Sequence, residues 1–217
     1  MEGEGEAKKS QNSIKITLIG DSGVGKTCII RRFTSDEFFS ETIPTDSLSY
    51  SSKEITYNGQ IVNLDVWDTA GQEKYRSLGK HFYKDSFIVI LVYNITVKET
   101  FDNLKTIWLE DVNNFGEKYK VLAVVGNKYD LYENEAVTEE DAKAFAKEHG
   151  AIFMYCSAKN GTNINALFDA CVKKYFNPEF YVEVVEVKKR DENSLVIKNK
   201  KKKKNKTEES KKKKCCS

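Results

Sequence analysis

The sequence lacks the features that mark a secreted or membrane-spanning protein. Its five cysteines include no CxxC pair, and the first thirteen residues contain no apolar core like that of a signal peptide. The longest apolar run, Phe87 to Tyr93, is far shorter than the roughly 18 residues needed to cross a bilayer. We therefore expect a protein of the reducing cytosol without a transmembrane helix.

Histidine is also scarce. The two histidines, His81 and His149, have no further ligands at the spacing of a zinc site, so we interpret them as surface or satisfied residues. Free cysteines usually pack as small apolar groups, which is our prediction for Cys28, Cys156 and Cys171.

The small net charge of +2 conceals a segregation of charge. Residues 188–217 contain fourteen basic and four acidic residues, a net charge of +10, which leaves residues 1–187 at −8. This pattern is typical of a basic interaction tail. Nucleic acid is not the partner we expect, because the tail has no interleaved aromatic residues on which bases could stack.

Apolar periodicity predicts an alternation of strands and helices. Five strands are predicted at 14–20, 61–67, 87–93, 121–126 and 151–156, with a weaker one at 48–57; helices are predicted near 26–34, 98–114, 139–149 and 162–176. The third helix has Thr138 as its expected N-cap, with Asp141 three residues later. The alternation indicates a doubly wound α/β sheet.

One strand pair departs from this parallel arrangement. Asn58-Gly59 separates the strands predicted at 48–57 and 61–67, and Asn-Gly is a strong signal for a tight hairpin. We therefore predict one antiparallel strand in an otherwise parallel six-stranded sheet.

The first strand leads into a phosphate-binding motif. Residues 20–27 read GDSGVGKT, which fits G-x-x-x-x-G-K-[ST] between a strand and a helix. Gly23 and Gly25 allow the backbone N–H groups to face phosphates. Lys26 is expected to reach the β- and γ-phosphates, and the hydroxyl of Thr27 to bind Mg²⁺.

Two polar loops follow later strands at the edge of the sheet where ligands bind. Asn127-Lys128-Tyr129-Asp130 follows one strand, and Ser157-Ala158-Lys159 follows the next. The carboxylate of Asp130 only accepts hydrogen bonds and so matches the N1–H and 2-amino donors of guanine, which adenine does not present. The sequence therefore predicts a guanine site.

GDSGVGKT, DTAGQE at 68–73, NKYD and SAK, in this order and spacing, resemble the Ras superfamily of small GTPases over residues 14–176. LVYNIT at 91–96, WDTAGQEKYRSL at 67–78 and the terminal cysteine pair are most similar to the Rab branch. The resemblance implies a G domain with about five helices around its sheet, and GTP hydrolysis with Mg²⁺ as cofactor.

The resemblance also implies individual roles. Gln72 would position the attacking water, and the Gly71 N–H would face the γ-phosphate. Mg²⁺ would be held by Thr27, by Thr45 and, through water, by Asp68. The remaining nucleotide-binding residues would be Asp21, Ser22, Gly23, Val24, Gly25, Lys26, Cys28, Phe38, Asn127, Lys128, Asp130, Ser157, Ala158 and Lys159.

The first switch departs from the usual Rab pattern. Thr42 and Thr45 both compete for the Mg²⁺-binding role, and the spacing of similar Rab proteins selects Thr45. The chain reads TDSLSY at 45–50 where Rab proteins typically read TIGVDF. Tyr50, Trp67 and Phe82 are expected either to form the aromatic cluster that links the switches or to pack in the core.

The adjacent cysteines Cys215 and Cys216 admit three interpretations: a redox pair, a metal site or a lipid attachment point. Neighbouring Cα atoms are too close for an unstrained disulfide. The tail from residue 188 contains no other Cys or His that would complete a metal shell. The pair resembles the doubly geranylgeranylated ending of Rab proteins, so lipidation is our interpretation.

These observations predict three segments: a polar extension at 1–13, a G domain at 14–177 and a polybasic, prenylated tail at 178–217. The expected function is a Rab-like GTPase switch in membrane traffic, on the cytoplasmic face of an intracellular membrane and cycling with the cytosol. The expected partners are an exchange factor, a GAP, effectors, the Rab escort and prenyl transferase machinery, and a GDP-dissociation inhibitor. The alternatives are a Ras- or Rho-like signalling GTPase and a GTP-binding module with negligible turnover.

Overall fold

The computed structural model describes residues 13–40, 49–69, 85–115 and 120–180. The strands are β1 (Ser13–Ile19), β2 (Ser49–Tyr57), β3 (Gln60–Asp68), β4 (Ile88–Asn94), β5 (Val121–Asn127) and β6 (Ile152–Tyr155). Each predicted strand is present, with ends within two residues of the prediction.

These strands form one six-stranded sheet in the order β2-β3-β1-β4-β5-β6. All neighbours pair in parallel except β2 and β3, which pair antiparallel with Tyr57 opposite Gln60. The turn between them has Asn58 at φ 50° and Gly59 at φ 80°. Both residues of a type I′ turn need positive φ, so the predicted Asn-Gly hairpin is confirmed.

The helices occupy the predicted positions, with additions in the middle of the chain. They are α1 (Lys26–Ser35), α2 (Lys98–Asn103), a π-helical turn (Leu104–Trp108), α3 (Leu109–Phe115), a 3₁₀ helix (Tyr129–Asn134), α4 (Glu139–Glu148) and α5 (Ile164–Phe176). The Asp141 N–H donates to Thr138 Oγ1 at 3.1 Å, which confirms the predicted N-cap. The single helix predicted at 98–114 contains a π turn, and the 3₁₀ helix was not predicted.

The sheet is covered on both faces, which explains its continuous apolar runs. In β4, Ile88, Ile90 and Val92 belong to one core with α1 and α5, whereas Val89 and Leu91 belong to the other with α2 and α4. Every residue of β4 and β5 is buried. Within the described ranges, no helix is long and apolar enough to cross a membrane.

Candidate functional site

The loop after β1 has the backbone that the phosphate-binding motif requires. Gly23 and Gly25 have φ values of 77° and 98°, in the left-handed region that favours glycine. A Cβ atom at Gly25 would lie 2.4 Å from Asn127 Nδ2, so this glycine is also required for close packing. α1 starts at Lys26 and has no acidic residue in its first turn, as suits a helix end that binds anions.

The Lys26 side chain extends from the start of α1 into this loop and is almost fully buried. Its Nζ donates to the carbonyl oxygens of Gly20 at 2.7 Å and Asp21 at 2.9 Å. Burial lowers the pKa of Lys26 to about 8, and the nearby Asp68 and Asp21 oppose this shift. A cation enclosed in this way interacts strongly with phosphate because little water screens it.

Thr27 and Asp68 lie together beside the loop. Asp68 ends β3 next to Leu18 of β1, and the Thr27 hydroxyl donates to Asp68 Oδ2 at 2.6 Å. Among the described residues, the buried Asp68 Oδ1 has no hydrogen-bond partner. Burial also raises the pKa of Asp68. A buried carboxylate oxygen without a donor, next to a hydroxyl, fits a hard cation such as Mg²⁺.

Asn127 joins the two halves of the site. This residue ends β5 and is only 1% exposed. Its Nδ2 donates to Val24 O in the phosphate loop at 2.8 Å, and its Oδ1 accepts from the Ala158 N–H at 3.3 Å. The side-chain amide therefore fixes the distance between the phosphate loop and the loop that follows β6.

Asp130 lies beside Ser157 and Lys159, so the polar loops after β5 and β6 are in contact. The Ser157 hydroxyl donates to Asp130 Oδ1 at 2.6 Å, and Lys159 Nζ lies 3.8 Å from Asp130 Oδ2. Lys128 has φ 66°, which turns the chain between Asn127 and Asp130. The hydrogen bond from Ser157 therefore fixes the orientation of the Asp130 carboxylate. The Asp130 side chain is 15% exposed, so it remains accessible to a ligand at the carboxyl end of β5.

The other predicted residues divide into three groups. Asp21 and Cys28 are half-buried, Ser22 and Gly23 are exposed, and Val24 is buried. Phe38 is half-buried against the core, so its role at the guanine ring stays a prediction. Thr45, Gly71, Gln72, Phe82, Cys215 and Cys216 lie outside the described residues.

The remaining cysteine and aromatic predictions differ in outcome. Cys156 and Cys171 are buried in the core as predicted, whereas Cys28 packs at its margin. Tyr50 and Trp67 stack with their ring centroids 5.3 Å apart. Tyr50 is 60% exposed, so this aromatic pair lies at the surface rather than in the core.

Arg32 is a site residue that the sequence did not indicate. Its Nε and Nη2 donate to the carbonyl oxygens of Ala158 and Lys159, both at 2.9 Å. Its Nη1 donates to the carbonyl oxygen of Asp36, just after α1, at 2.7 Å. Since Arg32 and Ala158 are 126 residues apart, no local pattern could have predicted this connection.

A mostly parallel sheet with a phosphate loop after β1, Asp68 at the end of β3, and polar loops after β5 and β6 defines a P-loop nucleotide-binding domain. A profile of the Ras family matches residues 15–177. The chain belongs to the Ras superfamily of small GTPases and, within it, to the Rab family.

Its relatives include Ras-related protein Rab-26 of Rattus norvegicus, 40% identical over 75% of this chain and 63% of that protein. Ras-related protein SEC4 of Saccharomyces cerevisiae is 41% identical over 78% of each chain. Ras-related protein Rab-22A of Homo sapiens is 43% identical over 71% of this chain and 79% of its own. The match thus spans less than two thirds of rat Rab-26.

Proposed function

We propose that this protein is a nucleotide switch that binds GTP, hydrolyses it to GDP and phosphate, and regulates intracellular membrane traffic. The observation that carries this proposal is the Asn127 amide, which contacts both the phosphate loop and the Ala158 loop. A single ligand with a base at one end and phosphates at the other would contact both loops. Membership of the Rab family supports the assignment to membrane traffic.

Each end of the nucleotide has chemically matched partners. Lys26 and the backbone N–H groups at the start of α1 would neutralise the phosphates. Asp130 would accept from guanine N1–H and the 2-amino group. Thr27 and Asp68, with Thr45, would hold Mg²⁺, which would neutralise charge on the phosphate oxygens.

Hydrolysis would depend mainly on positioning. Gln72 would orient the attacking water, and the Gly71 N–H would face the γ-phosphate. Such sites turn over slowly without help, and a GAP that supplies a cationic side chain accelerates them about 10³ to 10⁵-fold. Loss of the γ-phosphate would release both switches and change the surface that effectors contact.

Replacement of Gln72 by leucine tests whether the protein is an enzyme. We expect Gln72→Leu to bind GTP like the wild type but to hydrolyse it at least about ten-fold more slowly, because the water loses its orienting group. Single-turnover hydrolysis of bound GTP measures this rate. Gln60→Leu, the same change at the exposed first residue of β3, is the control. Equal, negligible rates in wild type and Gln72→Leu would instead support a binding module without turnover.

We further propose that the tail anchors the protein to a membrane. One lipid chain binds a membrane only marginally, whereas two chains, or one chain with a polybasic patch, bind stably. The tail has two adjacent cysteines and a net charge of +10 from residue 188 onward.

Removal of both terminal thiols is expected to release the protein from membranes. Cys215→Ser with Cys216→Ser should move it to the soluble fraction and leave GTP binding unchanged, because none of the expected nucleotide-binding residues belongs to the tail. Fractionation of cells that express each variant measures this distribution. Ser217→Ala, which keeps both thiols, is the control. Persistent membrane association of the double variant would contradict lipid anchoring.

The proposed partners follow from this cycle. An exchange factor, a GAP and effectors would act on the switches, and a GDP-dissociation inhibitor would take up the lipidated GDP form. Rab escort and prenyl transferase proteins would attach the lipids. Because TDSLSY at 45–50 departs from the usual Rab sequence, we propose that the effectors differ from those of typical Rab proteins.

A further inference from the structure

The carboxylate of Asp21, in the phosphate loop, binds two side chains from the helical segment after β4. Asp21 Oδ1 accepts from Trp108 Nε1 at 2.7 Å, and Asp21 Oδ2 accepts from Asn103 Nδ2 at 2.8 Å. These donors lie 87 and 82 residues further along the chain. Each carboxylate oxygen therefore has its own donor, and the indole N–H of the largely buried Trp108 is satisfied.

The π-helical turn explains how both donors reach one carboxylate. In a regular α-helix, residues five apart point about 140° away from each other around the axis. Here the Leu109 N–H bonds to Leu104 O, the i to i+5 pattern of a π turn. The wider turn brings residues five apart close to one face, so that Asn103 and Trp108 both contact Asp21. Such turns are frequent at functional sites.

Asp21 also connects these donors to the phosphate-binding lysine. The carbonyl oxygen of Asp21 accepts from Lys26 Nζ at 2.9 Å. Asp21 therefore accepts from Asn103 and Trp108 through its side chain and from the buried Lys26 through its backbone. A loop kept in one conformation before binding loses less entropy when the ligand binds, and the ligand is released more slowly when the loop cannot open.

We propose that Asp21, Asn103 and Trp108 form a clamp that positions the phosphate loop and prolongs the residence of the bound nucleotide. This inference rests on the guanine-nucleotide binding proposed above. Asn103 and Trp108 act through Asp21 and are positioning residues. Without their N–H groups, the Asp21 carboxylate would lose two donors next to the anionic phosphates, and the loop would open more often.

The test is the dissociation rate of a fluorescent GDP analogue from the full chain, measured in excess unlabelled GDP. Trp108→Phe keeps an aromatic ring and removes the N–H, and Asn103→Ala removes the amide. Each should raise the rate about ten-fold, the size expected for loss of one hydrogen bond to a charged group. Asn103→Gln, which keeps an amide donor, should restore most of the slow release. Asn113→Ala, on the exposed side of α3, should change the rate less than about two-fold.

A double-mutant cycle separates the clamp from a general loss of stability. In an Asp21→Ala background, Asn103→Ala and Trp108→Phe should have no further effect on release, because their acceptor is already absent. Unchanged release in the single variants, or full additivity in the cycle, would overturn the clamp and leave the proposed function intact. Failure of the wild type to retain GDP would overturn the proposed function and the clamp together. If Trp108→Phe does not fold, the half-buried Asn103 still provides the cycle with Asp21.

Discussion

Asp130→Asn is expected to weaken GDP binding by about 100-fold or more and to make xanthosine diphosphate the preferred ligand. Guanine offers N1–H and a 2-amino group, both donors, to a carboxylate that only accepts. Asparagine keeps one acceptor oxygen and adds an NH₂ donor. That donor opposes the 2-amino group of guanine but matches the C2 carbonyl that replaces it in xanthine.

The surroundings of Asp130 make this substitution informative. The Ser157 hydroxyl donates to Asp130 Oδ1 at 2.6 Å, so the side chain is held in place and a change in preference reports on the base contact. Competition of GDP and xanthosine diphosphate against a fluorescent nucleotide measures both affinities. Asp141→Asn, the same change at an exposed position in the first turn of α4, is the control. A guanine preference that survives in Asp130→Asn would remove Asp130 as the base-reading residue.

Gly20→Ala is expected to destabilise the fold by at least about 3 kcal/mol, or to prevent folding. Gly20 follows β1 with φ 143°, and a Cβ atom there would lie 2.1 Å from the carbonyl oxygen of Val92 in β4. Real contacts of this kind are more than 3 Å long. Because the opposing atom belongs to the backbone of a buried central strand, relief would require disruption of the pairing between β1 and β4.

Gly59→Ala provides the matched comparison for Gly20→Ala. Gly59 also has positive φ, at 80°, but no atom lies within 4 Å of its ideal Cβ position. Gly59→Ala should therefore lower the free energy of unfolding by only about 1 kcal/mol, the cost of a left-handed conformation for alanine. Urea unfolding at fixed GDP concentration measures both values, after correction for any change in GDP affinity. Equal losses in the two variants would contradict the steric explanation.

The strands were predictable because their signals are local. β4 and β5 are continuous apolar runs, and the two cores on either side of the sheet require this pattern. The Asn58-Gly59 turn was predictable because the turn type demands positive φ at both positions. The Thr138 cap was predictable since its partner is three residues away. In each case the signal lies within a few consecutive residues, even though the burial that requires the apolar strands comes from the whole sheet.

The π turn at Leu104–Trp108 was not predictable in the same way. The apolar pattern indicated one helix at 98–114, and the difference between a π and an α turn is a single extra residue per turn. The contacts that accompany this turn, from Asn103 and Trp108 to Asp21, come from another part of the chain. The apolar pattern within one helix contains no information about these contacts.

The linear chain specifies the chemistry of each loop and the order of the loops, since motifs such as GDSGVGKT and NKYD are defined by residue type and spacing over a few positions. These loops lie close together because of the strand order. β1 lies between β3 and β4, and this order places Asp68, at the end of β3, beside Thr27. The connections made by Arg32, Asn127 and Asp21 also depend on that order, because each joins residues more than 80 positions apart. Hydrogen bonds of such long range require the sheet register that brings their partners together, so the folded domain, rather than any single motif, creates the site.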